Sequence, residues 1–264
     1  MAGEPLRVAL GIEYDGSAFC GWQTQPSGCA VQDALERALT EIAGEPIATI
    51  CAGRTDAGVH ALAQIVHFDT NVARPETAWV RGVNTLLPAG AAVLWAREVS
   101  ADFHARYSAR ERRYRHVLLN HPVRPALNRA RVGWFHLSLN IERMQAAAQC
   151  LIGEHDFSAF RSAECQAKSP VREMRKLDIY KSDDYVLFEL TANAFLHHMV
   201  RNIVGCLVYV GKGKHPPEWL GEVLASRDRR SAAPTIDASG LYLANVIYDA
   251  AWKLPVAARR EWFT

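Results

Sequence analysis

The sequence predicts an α+β fold with a mostly antiparallel sheet. Two observations lead there. Apolar residues alternate with strand period in some segments and recur with helical period in others, along the whole chain. Strand candidates also sit next to one another with short turns between them in both halves, instead of being separated each time by a helix. The 264 residues suffice for one large domain or two smaller ones, and 49% apolar with 22% charged residues is an ordinary globular composition.

The elements follow in order. Leu6, Val8, Leu10 and Ile12 alternate as an opening strand, and Tyr14-Asp15-Gly16 marks a turn. Val31, Leu35, Ala38, Leu39 and Ile42 lie on one helical face that Gly44 ends. Ile47 to Cys51 reads as a strand running into Gly53-Arg54-Thr55-Asp56-Ala57-Gly58, and Gln64 to Asp69 as the strand leaving it. Pro75 starts a helix that reaches about Leu87. Val93 to Val99 and Tyr114 to Leu119 are further strands. Asn140 caps a helix through Leu151, stopped at Gly153. Leu177 to Tyr180 and Tyr185 to Thr191 form a hairpin turning at Ser182-Asp183-Asp184. Ala194 to Val210 is a helix with a strong apolar stripe, a shorter helix follows Pro216-Pro217, and Leu241 to Tyr248 closes as a strand. The comparable sets of elements divide into residues 1–107 and residues 108–264.

Charge is uneven. Arg106 to Arg131 holds eight arginines and one acid, Glu111, for a segment charge of +7 in a chain of net +2. Guanidinium forks interleaved with Tyr107 and Tyr114 suit phosphates and unpaired bases of RNA, while a solvated basic face is the plainer alternative. No apolar run spans a bilayer, and the first residues lack the basic and apolar regions of a signal peptide, so a cytoplasmic protein is expected. The six cysteines show no Cys-x-x-Cys pair and read as free thiols. No nucleotide-binding glycine pattern occurs, so no cofactor is expected. No metal-ligand spacing occurs either, and His197 and His198, adjacent on a helix, would point apart.

Asp56 stands in the most unusual segment. Gly53 and Gly58 bracket it, and a tight turn there would hold its carboxylate beside the Arg54 guanidinium at an exposed tip. An Asp bonding its own turn amides fits the residues equally. His60 reads as a polar filler or a substrate contact, and Arg113 is a further substrate-contact candidate. The helical spacing puts His197 and Arg201 on one face, and Arg201, set among apolar residues, either pairs with an anion (Asp56, Asp156 or Glu189) or snorkels to solvent.

These motifs together resemble a known family. Tyr14-Asp15-Gly16 with Phe19-Cys20-Gly21-Trp22-Gln23, Gly53 to His60, Arg112-Arg113-Tyr114-Arg115, His155 to Phe160, Phe195 to Gly205, and Gly240-Leu241-Tyr242-Leu243 all resemble segments of the tRNA pseudouridine synthase A family, over nearly the whole chain. Ala233-Pro234 departs from the Gly-Pro expected near the end, which puts local loop geometry in question.

The resemblance implies two related α+β halves sharing a sheet, with a central cleft. It also implies a homodimer and a tRNA substrate, isomerised from uridine to pseudouridine at positions 38, 39 and 40 of the anticodon stem-loop. It makes Asp56 the nucleophile, pairs Arg201 with it, sets Tyr114 against the target base and has Arg54 help extrude the nucleotide. Isomerisation consumes no group or electron carrier. A carboxylate can open it at the sugar's anomeric carbon, at ring carbon C6, or by taking a sugar proton. A non-catalytic RNA-binding protein would explain the basic stretch but not the Asp56 loop. A hydrolase with an aspartate nucleophile would want a second carboxylate or Asp-x-Asp, which Asp56-Ala57-Gly58 does not offer.

Overall fold

The computed structural model describes residues 5–255. They form two compact units, one from the described residues of Met1–Arg110 and Tyr242–Thr264, the other from Glu111–Leu241. A division at 107/108 would leave the chain's end in the second half. Instead the closing strand returns to the first unit, because Tyr242 and Leu243 pair in parallel with His60 and Ala61.

In the first unit β1 (Leu6–Tyr14) lies antiparallel between β4 (Ala91–Val99) and β3 (His60–Thr70). The short β2 (Ile50–Cys51) pairs with β3 on the flank away from β1, and β10 (Leu241–Tyr248) pairs on that same flank nearer the start of β3. Helix α1 (Val31–Ala43) buries Val31, Ala34, Leu35, Ala38 and Leu39, the face its spacing predicts, and ends at Gly44 in the left-handed conformation. Leu35 and Leu39 are each 1% exposed or less, and burying such a side chain stabilises by about 1.5–3 kcal/mol. The helix expected from Pro75 is present but opens into a wide turn at Ala78–Gly82 before α2 (Val83–Leu86), with Trp79 set edge-on to Phe68 at 5.1 Å.

The strand expected at Ile47 shrinks to two residues, because α1 takes its amides. Thr49 N donates to Glu36 Oε1 (2.7 Å) and Ile47 N to Thr40 Oγ1 (3.1 Å).

In the second unit β5 (Ala109–Asn120), β9 (Tyr185–Ala192), β8 (Val171–Ser182) and β7 (Gly153–Asp156) follow in antiparallel order, and β6 (Gly133–Phe135) runs parallel to β5. β6 and β7 are too short for a pattern to announce them. The hairpin turns at Asp183, whose φ of 50° is the left-handed value a tight turn requires. Helices α3 (Ile141–Ala148), α4 (Met199–Gly211) and α5 (Trp219–Ser226) accompany the sheet. Its core holds Leu118, Met144, Leu151, Phe157, Phe160 and Phe188, each less than 2% exposed. No helix among the described residues is long and apolar enough to cross a membrane. The fold is α+β with mixed, mostly antiparallel strand pairing, as expected.

Candidate active site

The loop between β2 and β3 is fastened from beneath. Ala52 N donates to Ile65 O (2.8 Å), and Gln64 Nε2 reaches Gly53 O (2.6 Å), continuing the ladder with a side chain. Thr55 is buried, its hydroxyl 2.8 Å from the Tyr14 hydroxyl. Trp22 N donates to Thr55 O (3.0 Å). The turn closes where Val59 N meets Asp56 O (3.1 Å), with Gly58 at φ 81°, the third position of a type II turn. The Tyr14-Asp15-Gly16 turn comes so close to this loop that a Cβ on Gly16 would overlap the Val59 carbonyl. The loop's residues therefore alternate: Arg54 exposed, Thr55 buried, Asp56 half-buried, Ala57 exposed. A half-buried carboxylate next to an exposed guanidinium, on a turn held by hydroxyl and amide bonds, suits nucleophilic work on an anionic substrate.

His60 lies under this surface, not on it. It is 2% exposed, its Nδ1 accepts from Gly16 N (3.1 Å) and lies 3.2 Å from Asp15 Oδ1, and its ring stacks on Tyr242 at 4.6 Å. That placement makes it a support for the loop and takes it out of the substrate-contact set.

The second unit gathers its own group. Tyr114 on β5 is 8% exposed, edge-on to Phe195 at 5.0 Å. The two-residue period of β5 puts Arg112, Tyr114 and His116 on one face and Arg113 and Arg115 on the other. Arg112 Nη1 donates to Asn193 O (2.9 Å), while Arg115 Nε pairs with Glu189 (2.9 Å). Arg113 therefore leaves β5 on the face opposite Tyr114.

Arg201 is half-buried on the first turn of α4 and donates from Nε to Ile236 O (3.0 Å). Two carboxylates named as its candidate partners are engaged elsewhere: Glu189 with Arg115, and Asp156 with Arg227 (3.5 Å) and Ser158 N (2.8 Å). Asp237 was not foreseen. Hydrogen bonds from Ser239 hold its carboxyl below the usual range, and the Arg201 charge lowers it further.

The helix expected from Ala194 begins only at Met199, because His198 is left-handed at φ 63°. His197 therefore does not share a helical face with Arg201. The His197 and His198 rings do not point apart but sit 4.1 Å from each other. The motif His155 to Phe160 is a buttress: Phe157 and Phe160 are fully buried, and Phe160 O accepts from Asn202 Nδ2 (2.7 Å) on α4. Arg229 ties Asn202 and Thr235 together at 3.0 Å each and holds Ala233 O (2.9 Å). Ala233 is 3% exposed and has no positive φ, so alanine is tolerated where glycine was expected.

His116 on β5 is fully buried, and burial, followed by the Arg201 charge, pulls its pKa down to about 4. The unfolded chain takes up this proton near the ordinary value of 6.5, the folded chain only near 4. Its contribution is therefore intact above about pH 6.5 and declines as pH falls toward 4. Urea unfolding at pH 5 should show about 2 kcal/mol less stability than at pH 7 from this group. Equal midpoints in His116→Gln and wild type for that pH difference would refute the assignment.

Cysteine pairing was not foreseen. Cys20 and Cys29 are bonded, with Cα atoms 5.5 Å apart, and Cys51, Cys150, Cys165 and Cys206 are free. Gly21, next to Cys20, packs on the backbone of Thr55 to Ala57, so this clasp flanks the Asp56 loop.

Known proteins resemble this chain closely. The tRNA pseudouridine synthase A of Thiobacillus denitrificans is 62% identical over 255 residues, 97% of this chain and 98% of that protein. The enzyme of the same name from Nitrosomonas eutropha is 59% identical over 250 residues, 95% of this chain and 90% of that protein. The one from Methylobacillus flagellatus is 56% identical over 255 residues, 97% and 98% of the two chains. A family model described as tRNA pseudouridine synthase matches residues 11–108 and 147–249, taking in Tyr14, Asp56 and Arg201, and on these grounds the chain belongs to the tRNA pseudouridine synthase family.

Proposed function

We propose that this protein isomerises uridine to pseudouridine at positions 38, 39 and 40 of the tRNA anticodon stem-loop, working in the cytoplasm as a homodimer without a cofactor. The observation that carries the proposal is the Asp56 turn, whose neighbours Thr55 and His60 are pinned below while Arg54 stands exposed beside it.

In this reading Asp56 is the nucleophile. The glycosidic bond from nitrogen breaks, the base turns within the site, and its C5 bonds to the sugar; the C5 hydrogen leaves as a proton, the freed ring nitrogen takes up a proton, and the bond made by Asp56 is broken again so that the carboxylate is regenerated. Substrate and product are isomers, so no electron or group carrier enters. The target base must first leave its stack, at about a few kcal/mol, and Arg54 offsets this through the phosphate backbone. Tyr114 contacts the freed base, and Arg201 supplies the essential cation of the catalytic set. The proposed chemistry uses neither sulfur of the Cys20–Cys29 bond.

The test is a tRNA transcript carrying uridine at position 39 with tritium on uracil C5. Release of tritium by the wild-type protein, without added metal or cofactor, is expected. Tight binding with no release from any tRNA offered would overturn the proposal.

A further inference from the structure

The first unit carries a second built feature outside the Asp56 loop. Between β4 and β5 the chain turns at residues 104–107, and buried and half-buried side chains satisfy its backbone. Ala105 N donates to His67 Nδ1 (3.1 Å). Arg106 N and Tyr107 N both donate to His104 Nδ1 (3.2 Å each). Tyr248 donates its hydroxyl to Ala105 O (2.6 Å), and Arg7 Nη1 donates to Phe103 O (2.8 Å). A ring nitrogen accepts only while it is unprotonated, and burial holds both histidines below their ordinary value, His67 at about 4.

On this fixed base Tyr107 stands 76% exposed. Its ring stacks on His104 at 4.3 Å and 30°, and the Arg106 guanidinium lies 5.7 Å from the ring centre. A surface tyrosine kept only for packing would turn its ring toward the protein. Here the ring is ordered by a stacking partner and yet left in water, the arrangement of a platform awaiting another ring. The platform also has a location. His67, which accepts from Ala105 N, pairs across the sheet with Ile50 on β2, the strand that runs into the Asp56 loop, so the turn lies beside the strand pair that carries that loop.

We propose that Tyr107 and Arg106 form a separate RNA contact, in which an unpaired base other than the reacting one stacks on Tyr107 while Arg106 meets its phosphate. This rests on the RNA-substrate reading above and adds a recognition point to it. The test measures binding of an anticodon stem-loop RNA to the full-length protein, together with single-turnover tritium release at saturating RNA.

Tyr107→Ala should weaken binding by about 5- to 150-fold, the range of one base-stacking contact, with the saturated rate within about twofold. Tyr107→Phe should bind as wild type. Arg106→Gln should lower the slope of log affinity against log salt by about 0.7, one phosphate contact to a single strand. Unchanged affinity in Tyr107→Ala would overturn the proposal. So would a Tyr107→Ala protein whose sedimentation mass alone changes, which would make the ring a contact between protein copies. If the wild type released no tritium while Tyr107→Ala still lost affinity, the contact would stand and the isomerase reading would fall. Normal release with unaltered Tyr107→Ala affinity would remove only the contact.

Discussion

Asp56→Asn is expected to abolish turnover, with a rate loss on the order of 10⁴-fold or more, while RNA affinity stays within a few fold. The amide has the carboxylate's shape but neither its charge nor its nucleophilicity. The bonds that shape the turn come from other groups: the Thr55 and Tyr14 hydroxyls, Trp22 N on Thr55 O, and Val59 N on the Asp56 backbone carbonyl. The turn should therefore survive the substitution. The measurement is single-turnover tritium release at saturating RNA, with thermal unfolding and filter binding alongside. Normal product formation would end the nucleophile assignment. A large fall in melting temperature would show instead that the carboxylate holds the turn.

Arg201→Met is expected to reduce the saturated rate by about 10²- to 10³-fold, the effect of removing one preorganised charge from an active site. Methionine fills much of the same space but loses the bond to Ile236 O. That loss should also destabilise the second unit by about 1 kcal/mol, the net worth of one hydrogen bond to a half-buried carbonyl. Arg201→Lys separates the two effects. It keeps the charge without the planar fork, so it should recover part of the rate but little of the stability.

A further readout belongs to the charge alone. Arg201 lowers the His116 pKa, so without it His116 should titrate higher in the folded protein, and the stability this group loses between pH 7 and pH 5 should shrink. A variant with wild-type single-turnover rates would place Arg201 among the structural residues.

Much of the fold was legible because the deciding forces are local. The apolar face of α1 and the hairpin at Asp183 follow from spacing and turn chemistry. The Asp56 loop was legible through its bracketing glycines and then through its motif. What escaped depends on groups far apart in the chain. Glu36 on α1 captures Thr49, and so most of a plausible strand is never paired. His198 adopts a left-handed conformation that breaks a helical pattern running straight through it.

Residue type marked both Arg113 and Tyr114 as substrate contacts, while the pleat of β5 sends their side chains to opposite faces. Asp237 stood outside every motif, and only folding brings it to Arg201. The partnership of Cys20 and Cys29 has no spacing signature, since their backbones meet only when Cys20 N bonds Cys29 O at 3.0 Å.

The return of the closing strand sets an order of events during translation. A nascent chain leaves the ribosome from its N-terminus, so β1 to β4 emerge long before β10 exists. Until Leu241–Tyr248 is made, His60 and Ala61 at the start of β3 lack their partners on β10, and His60 lacks the Tyr242 ring it stacks on. The unit of Glu111–Leu241, continuous in sequence, is complete one strand earlier. The unit that begins first therefore finishes after the other, and the support beneath Asp56 is assembled only once Leu241–Tyr248 has been made. A prematurely terminated chain would carry every residue of the Asp56 loop and still lack part of the scaffold that holds it.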